Sequence, residues 1–307
     1  MTYDLTIIGG GPAGAGAAVY AARKCLRTLF ITRDWLGQSN VSEKIENWIG
    51  TIAISGLELS RTLENHAKAY GDGIIDFKDG EGCSNISRLD NQFLIKTDKG
   101  NYQSKTVLIT SGSSRRALEI PGAEKYDNKG LTYCATCDGP LFSGQDVAVI
   151  GGGNAGFESA AQLLAYCKSV TLLIRGDILK ADPGTIEKVT SNPKMKVIKF
   201  AVPKEVKGDR FVTSFVYNDA KTKKDVELPV TGIFVEIGSL PNTSFAKDLV
   251  KLDKHDHIIV DPRNQRTAVH GIWAAGDCTD GLYHQNNIAV GDAVKAIEDI
   301  YSWLHAR

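Results

Sequence analysis

Leu5-Thr6-Ile7-Ile8-Gly9-Gly10-Gly11-Pro12-Ala13-Gly14 is a short apolar run that ends in a glycine-rich turn, and the alanine-rich stretch from Ala15 to Arg23 after it has helical character. Strand, turn and helix in that order carry a specific physical meaning. The spacing Gly9-x-Gly11-x-x-Gly14 lets the backbone turn tightly and lets a pyrophosphate approach the helix N-terminus, where free N–H groups and the helix dipole favour anions. In this context the motif predicts dinucleotide binding, with Pro12 and Ala13 inside the turn. The next strand is Thr28-Leu29-Phe30-Ile31. An acid at its end would bind a ribose hydroxyl. The expected position falls on Thr32, and Asp34 is its candidate substitute.

The pattern recurs one domain later. Val147-Ala148-Val149-Ile150 leads into Gly151-Gly152-Gly153-Asn154-Ala155-Gly156 and a helical stretch from Phe157 to Cys167. After the following strand, Val170-Thr171-Leu172-Leu173-Ile174, Arg175 stands where an acid would select NAD and a base NADP, and Lys180 is the next base. Two such units imply two nucleotide-shaped sites serving one chemistry. The fold class that follows is α/β, with two Rossmann-like three-layer dinucleotide-binding domains.

The remaining chain fits around these copies. Trp35 to Gly50 reads as a long loop, and Gly56 to Tyr70 as a helix with Leu57, Leu63 and Ala67 near one face. Cys83 to Thr97 and Asn101 to Thr110 read as an antiparallel strand set, and Thr106 to Gly112 as a strand entering a glycine turn. Ile120-Pro121-Gly122 breaks structure. Val197 to Ile237 reads as short strands with turns. Ile258-Ile259-Val260-Asp261 and Gly271 to Asp277 read as strand ends, and Asn287 to Leu304 as a helix. This last segment is too small for a third domain, so it is expected to return and complete the first, leaving the second inserted into it.

The chemistry is expected at Cys134-Ala-Thr-Cys137-Asp138. Two cysteines three apart close a small, reversible disulfide, and one thiolate of such a pair attacks well near neutral pH. The acid after the second cysteine can pass a proton. A zinc site would need a second pair of Cys or His ligands. Cys25, Cys83, Cys167 and Cys278 are isolated and no His pair sits at ligand spacing, so a redox pair is expected and no metal; a buried structural pair is the remaining alternative. With Lys+Arg and Asp+Glu both 36, the zero net charge argues against a general nucleic-acid or anionic-membrane binder. No apolar run reaches membrane-spanning length, and the chain enters a strand with no basic-then-apolar leader. A reducing cytoplasm is the expected compartment.

Taken in order, the two glycine motifs, the Cys134/Cys137 pair with Asp138, and the closing Ala275-Gly276-Asp277 resemble the low-molecular-weight thioredoxin reductases over essentially the whole length. The resemblance implies tightly bound FAD in a split domain of residues 1–116 plus 243–307. It implies an inserted pyridine-nucleotide domain, 117–242, that carries the cysteine pair, together with a homodimer and a rotation between domains. By the same resemblance Cys137 is the thiol nearest the flavin, Cys134 attacks the disulfide of a thioredoxin-like protein, and Asp138 donates or accepts the proton. A helix N-cap is the bland reading of Asp138. Gly276 and Asp277 would lie over the FAD pyrophosphate and ribitol. Gln38, Asn47 and Gln285 match positions that line the flavin ring, and Gly112 belongs to the same cofactor set. Gly151, Gly153, Asn154, Gly156, Arg175 and Lys180 form the second nucleotide site.

The departures lie on the donor side. NADPH-dependent members carry His-Arg-Arg-Asp after the second-fold strand, where two arginines grip the 2′-phosphate. Here the run is Ile174-Arg175-Gly176-Asp177, and the family's Arg-Gln near the C-terminus reads His284-Gln285. Trp35 and Trp48 are added aromatics with a core role as the common alternative. Three routes for electrons follow. In the first, NADPH remains the donor and the chain is a reductase of loosened nucleotide specificity. In the second, the donor is ferredoxin, or a second FAD in the second fold serves as relay. In the third, a small dithiol is oxidised and oxygen reduced. A non-enzymatic flavin-binding protein would not need the reactive pair.

Overall fold

The computed structural model describes residues 2–42 and 44–306. In chain order the first segment holds β1 (Thr2–Ile8), α1 (Pro12–Arg23), β2 (Thr28–Thr32), α2 (Gly56–Gly71), β3 (Ile75–Asp79), β4 (Cys83–Leu89), β5 (Gln92–Thr97), β6 (Asn101–Ile109) and β7 (Ser113–Arg115). The middle segment holds β8 (Leu131–Thr132), α3 (Ala135–Asp138), β9 (Asp146–Ile150), α4 (Asn154–Tyr166), β10 (Ser169–Leu173), α5 (Pro183–Thr190), β11 (Met195–Ile198), β12 (Ala201–Gly208), β13 (Val212–Asp219), β14 (Asp225–Pro229), β15 (Gly232–Val235) and β16 (Ser239–Pro241). The last holds β17 (Ile272–Ala274) and α6 (Asn286–His305). Two compact units result: Met1–Ser114 with Leu240–Arg307, and Arg115–Ser239. The second is therefore an insertion in the chain of the first.

In the first unit the sheet order is β3-β2-β1-β6-β5-β4, with β17 also on β6. β6 does two jobs along its length. Its start pairs antiparallel with β5, and Val107 to Ile109 pair parallel with β17, which brings the last segment into the sheet. β1 and β2 are almost wholly buried, as strands covered on both faces must be. The alanines of α1 (Ala15, Ala18, Ala22) allow close approach to α6, whose Ala293, Ala296 and Ile300 share their core. On α2 the buried leucine is Leu59, 2% exposed, while Leu57 is 43% exposed. The expected face of Leu57, Leu63 and Ala67 is thus corrected to Leu59, Leu63 and Ala67, because i, i+4, i+8 keeps one side of a helix. Ile258 to Asp261 forms no strand; Ile258 makes only single bridges to Leu252 and Thr279.

The second unit repeats the plan with β11-β10-β9-β15-β8, all parallel where paired, and adds an antiparallel sheet β12-β13-β14. One core packs α4 and α5 on the sheet through Phe157, Leu163 and Val189, and another packs the β12–β14 sheet through Val206, Phe215 and Tyr217. Among the described residues no helix is long and apolar enough to cross a membrane.

Candidate active site: two glycine cradles and a cysteine pair

Gly9 has φ +120, and a Cβ there would lie 2.3 Å from the Thr110 carbonyl oxygen. A Cβ on Gly14 would meet the Gly9 carbonyl at 1.8 Å, whereas nothing lies within 4 Å of one on Gly11. Two glycines of the motif close the turn, and the third leaves room above the N-terminus of α1. That end is built for an anion. Gly11 is the N-cap without a side-chain cap, Pro12 leads the helix, and no acid sits in the first turn. By contrast α2 is closed by Ser55 and Glu58 in a capping box. Free N–H groups without a competing acid fit a dinucleotide pyrophosphate.

The other candidates of this unit gather around the same end. Ala13 is buried, and Gly276 (φ +77) sits between Ala13 and Ala289, close enough that a Cβ would be 3.3 and 3.1 Å from their Cβ atoms. Gln38 Nε2 donates to Ser113 Oγ at 2.9 Å and to Asp277 Oδ2 at 3.4 Å, and Asp277 Oδ1 lies 3.7 Å from His284 Nδ1. Asn47 Nδ2 donates to Gln285 Oε1 at 3.2 Å. Gly112 (φ +63) accepts a bond from Asn242 N through its carbonyl. Thr32 and Asp34 are engaged locally. The Thr32 hydroxyl donates to the Asp34 carbonyl, and the Asp34 carboxylate accepts from Leu36 N at 3.0 Å. Trp35 is core, stacked on Phe30 at 4.7 Å with its N–H on Asp79. Ser39, Ser113, Asn286 and Asn287 join the loops and were not foreseen. Asn286 Nδ2 donates to Ser39 Oγ at 3.0 Å and Asn287 Nδ2 to the Asn47 carbonyl at 2.7 Å. Only the adjacency of the two asparagines to Gln285 hinted at them.

The second cradle copies the first. Gly151 has φ +137 with its Cβ position 2.0 Å from the Glu236 carbonyl oxygen, Gly156 meets the Gly151 carbonyl at 2.2 Å, and Gly153 is open. Gly153 caps α4 with no side-chain bond and no acid in the first turn. Strand register aligns the copies residue by residue: Ile8 pairs with Ile31 and Ile150 with Leu173. Ile174 is therefore the counterpart of Thr32. It is buried, and it faces the Cβ position of Gly152 just as Thr32 faces that of Gly10. Arg175, read from the sequence as the selecting residue, stands one place further, exposed. Asn154 Oδ1 accepts from Asp182 N at 2.9 Å and Lys180 N donates to the Gly152 carbonyl at 2.7 Å, so both hold the 175–182 loop against the turn.

Cys134 and Cys137 form a disulfide, both half-buried. Cys134 is the N-cap of α3, and the Cys137 amide donates to its Sγ at 3.2 Å. That bond favours a thiolate on Cys134 once the pair is reduced. Asp138 ends α3. Its N–H donates to the Cys134 carbonyl at 3.0 Å, and the Thr132 hydroxyl donates to its Oδ2. It stands at the start of the 3-10 turn Gly139–Phe142 without a side-chain capping bond, so the N-cap reading does not hold. Burial pushes the Cys83 thiol up to about 12 and those of Cys167 and Cys278 to about 11, so these three are poor nucleophiles.

The chain is similar to known proteins over nearly its whole length. Residues 3–293 match the family described as pyridine nucleotide-disulphide oxidoreductase. A protein named NADH dehydrogenase from Bacillus subtilis is 38% identical over 305 residues, 98% of this chain and 58% of that protein. A protein from Staphylococcus aureus, named as one of the subunits of alkyl hydroperoxide reductase, is 40% identical over 303 residues, 98% of this chain and 59% of that protein. The chain thus spans less than two thirds of the length of these curated relatives. The crystal structure of thioredoxin reductase from Streptococcus pyogenes superposes with a TM-score of 0.90 at 33% identity, covering 100% of this chain and 99% of that one.

Proposed function

The chain belongs to the pyridine nucleotide-disulphide oxidoreductases, and from that premise we propose that it moves electrons from a reduced nicotinamide dinucleotide through FAD to the Cys134–Cys137 disulfide, and then to a disulfide on a thioredoxin-like protein. The observation that carries this reading is the half-buried Cys134–Cys137 disulfide in a unit that also holds an uncapped glycine cradle. The first cradle, with Gln38, Asp277 and the Asn47–Gln285 pair beside it, is the FAD site of this reading. When bound, FAD supplies a two-electron carrier between the nicotinamide and the disulfide. The rest is done by the chain. Reduction of the disulfide leaves two thiols. The Cys134 thiolate attacks the partner disulfide, one partner sulfur leaves and takes a proton, and Cys137 then displaces the second partner thiol as the Cys134–Cys137 bond re-forms. Asp138 is the proton carrier for these steps. Two electrons and two protons pass to the partner.

Donor selectivity is loose in this reading. Ile174 offers no acid for a 2′-hydroxyl, and Arg175 with Lys180 is a reduced set of cations for a 2′-phosphate. The enzyme works as a homodimer in a reducing cytoplasm. The name of the Staphylococcus relative supports a second reading of the acceptor alone: a separate protein of peroxide reduction in place of a thioredoxin.

The test is anaerobic titration of the purified protein with NADH and with NADPH, following flavin absorbance, after the flavin-to-chain ratio has been measured. Bleaching near one equivalent of either supports the reading. No bleaching by either, with dithionite still reducing the flavin, would overturn the donor and turn attention to ferredoxin or a dithiol. A ratio near two would make the second cradle a flavin site. Turnover with an oxidised thioredoxin, against none with a peroxide-reducing partner, then separates the acceptors.

A further inference from the structure

Glu236 is a carboxyl that the electron path above leaves unused. It follows β15, and its backbone is the wall of the second cradle: its N–H donates to the Ile150 carbonyl at 2.8 Å and its carbonyl faces Gly151. In the first unit the same place belongs to Thr110, whose N–H donates to the Ile8 carbonyl at 2.8 Å and whose carbonyl faces Gly9. The repeat therefore sets a titratable side chain in the second cradle where the first has an uncharged one. Because β15 lies on the side of β9 opposite β10, its carboxyl end falls on the nicotinamide half of a dinucleotide that places its adenosine ribose over β10.

This carboxyl is half-buried. From α4, Ser159 Oγ donates to Glu236 Oε1 at 2.5 Å, and Glu158 adds a like charge. From β7 the Arg115 guanidinium favours the ionised form, as the Ser159 bond does, and opposes the charge of Glu158; Arg115 also acts on Asp127, and its Cζ lies 5.7 Å from the centroid of the Tyr133 ring. The glycine turn contributes no charge. Desolvation prevails, and burial pushes Glu236 up to about 7. All six histidines (66, 255, 257, 270, 284 and 305) lie in the other unit, so the second unit holds no imidazole to titrate in the same range.

We propose that Glu236 is a proton-controlled specificity residue of the second cradle: neutral, it admits the dinucleotide; ionised, it opposes the two pyrophosphate charges and weakens binding. This rests on the reading of that cradle as a nicotinamide dinucleotide site. The sign follows directly. Affinity is full below the titration of Glu236 and falls as pH rises through it.

The experiment is calorimetric titration of the flavin-loaded protein with ADP-ribose, which keeps the two pyrophosphate charges fully ionised and lacks the cationic nicotinamide ring that an ionised carboxylate would attract, from about pH 6 to about pH 9. The wild-type dissociation constant is expected to rise about tenfold across the range, with the bend near neutrality. In Glu236→Gln the profile is flat and tight throughout. In Ser159→Ala, which removes a donor to the carboxylate, the bend moves to higher pH; this second variant keeps the idea testable should the first fold poorly. A flat wild-type profile, or a bend that survives in Glu236→Gln, overturns this inference and leaves the electron path untouched. Failure of the wild type to bind any of ADP-ribose, NAD+ and NADP+ at any pH overturns the donor reading and this inference with it.

Discussion

Asp138 and the cysteines show what single residues can be asked. If Asp138 carries the proton, Asp138→Asn slows turnover with a protein disulfide by about a hundredfold and leaves the rate of flavin reduction by nucleotide as it was. Stopped-flow separates the two, and equal slowing of both would deny Asp138 that role. The cysteines give a second outcome. Alkylation of the reduced native protein should mark Cys134, Cys137 and exposed Cys25, and spare Cys83, Cys167 and Cys278, whose thiols burial keeps protonated. Peptide mass spectrometry reads this; early labelling of Cys278 would contradict its burial. Glu236 has a stability signature of its own. Its folded value near 7 lies above the ordinary 4.5, so its contribution is fully present below about 4.5 and lost as pH rises through about 7. At about 1.4 kcal/mol per pH unit the gap amounts to roughly 3 kcal/mol at most. Glu236→Gln should accordingly gain melting temperature over wild type at pH 8 and little at pH 4. The cysteine pair and the glycines were legible because their chemistry is local to a few residues. Glu236 was not, since its burial depends on α4, far away in sequence.

Elements carry the cradles, and there the two kinds of glycine can be told apart. Gly151 is held at φ +137 against backbone, so Gly151→Ala strains the turn whatever is bound. Gly153 has φ −93 and open space where a Cβ would go. Gly153→Ala should therefore leave unfolding within about 1 kcal/mol of wild type yet, if the second cradle holds a dinucleotide as proposed, weaken NAD+ binding tenfold or more, because the methyl would fill the place of the pyrophosphate. A variant that loses stability and affinity together would show that the space above α4 is structural. The end of β10 gives a further expectation. With Ile174 in place of an acid and Arg175 as the next residue, kcat/KM for NADH and NADPH should agree within about tenfold, and Arg175→Ala should cost NADPH more than NADH. Both strand–turn–helix copies were legible because period and glycine spacing coincide. The one-place error at Arg175 was not avoidable from sequence: only register ties Leu173 to Ile150 and so makes Ile174 the counterpart of Thr32. Leu57 and Ile258 misled for a related reason, since apolar character says that a residue can be buried and packing decides which one is.

At the scale of the molecule the chain is two units joined by insertion, each with cores of its own. Among the described residues each hydrophobic cluster draws its members from one unit alone. The return of the last segment was legible as a need, since a strand and helix too small for a domain must complete another; that β17 does so on the second half of β6 was not, because β6 is one continuous run in sequence. Separate cores predict separate responses to ligands. A ligand that binds one folded unit stabilises it by RT ln(1 + [L]/Kd), about 2.7 kcal/mol at a hundredfold excess over Kd, and leaves the other unit where it was. The sequence supplies the probe. Trp35, Trp48, Trp273 and Trp303 all belong to the first unit, so tryptophan emission follows that unit alone while far-ultraviolet circular dichroism follows both. On heating with saturating NAD+, the tryptophan midpoint and flavin release should stay fixed while part of the dichroism change moves up by several degrees. Were the tryptophan midpoint to rise by as much as the dichroism does, the two units would be melting as one, and the separateness of the cores would be a matter of packing without thermodynamic weight.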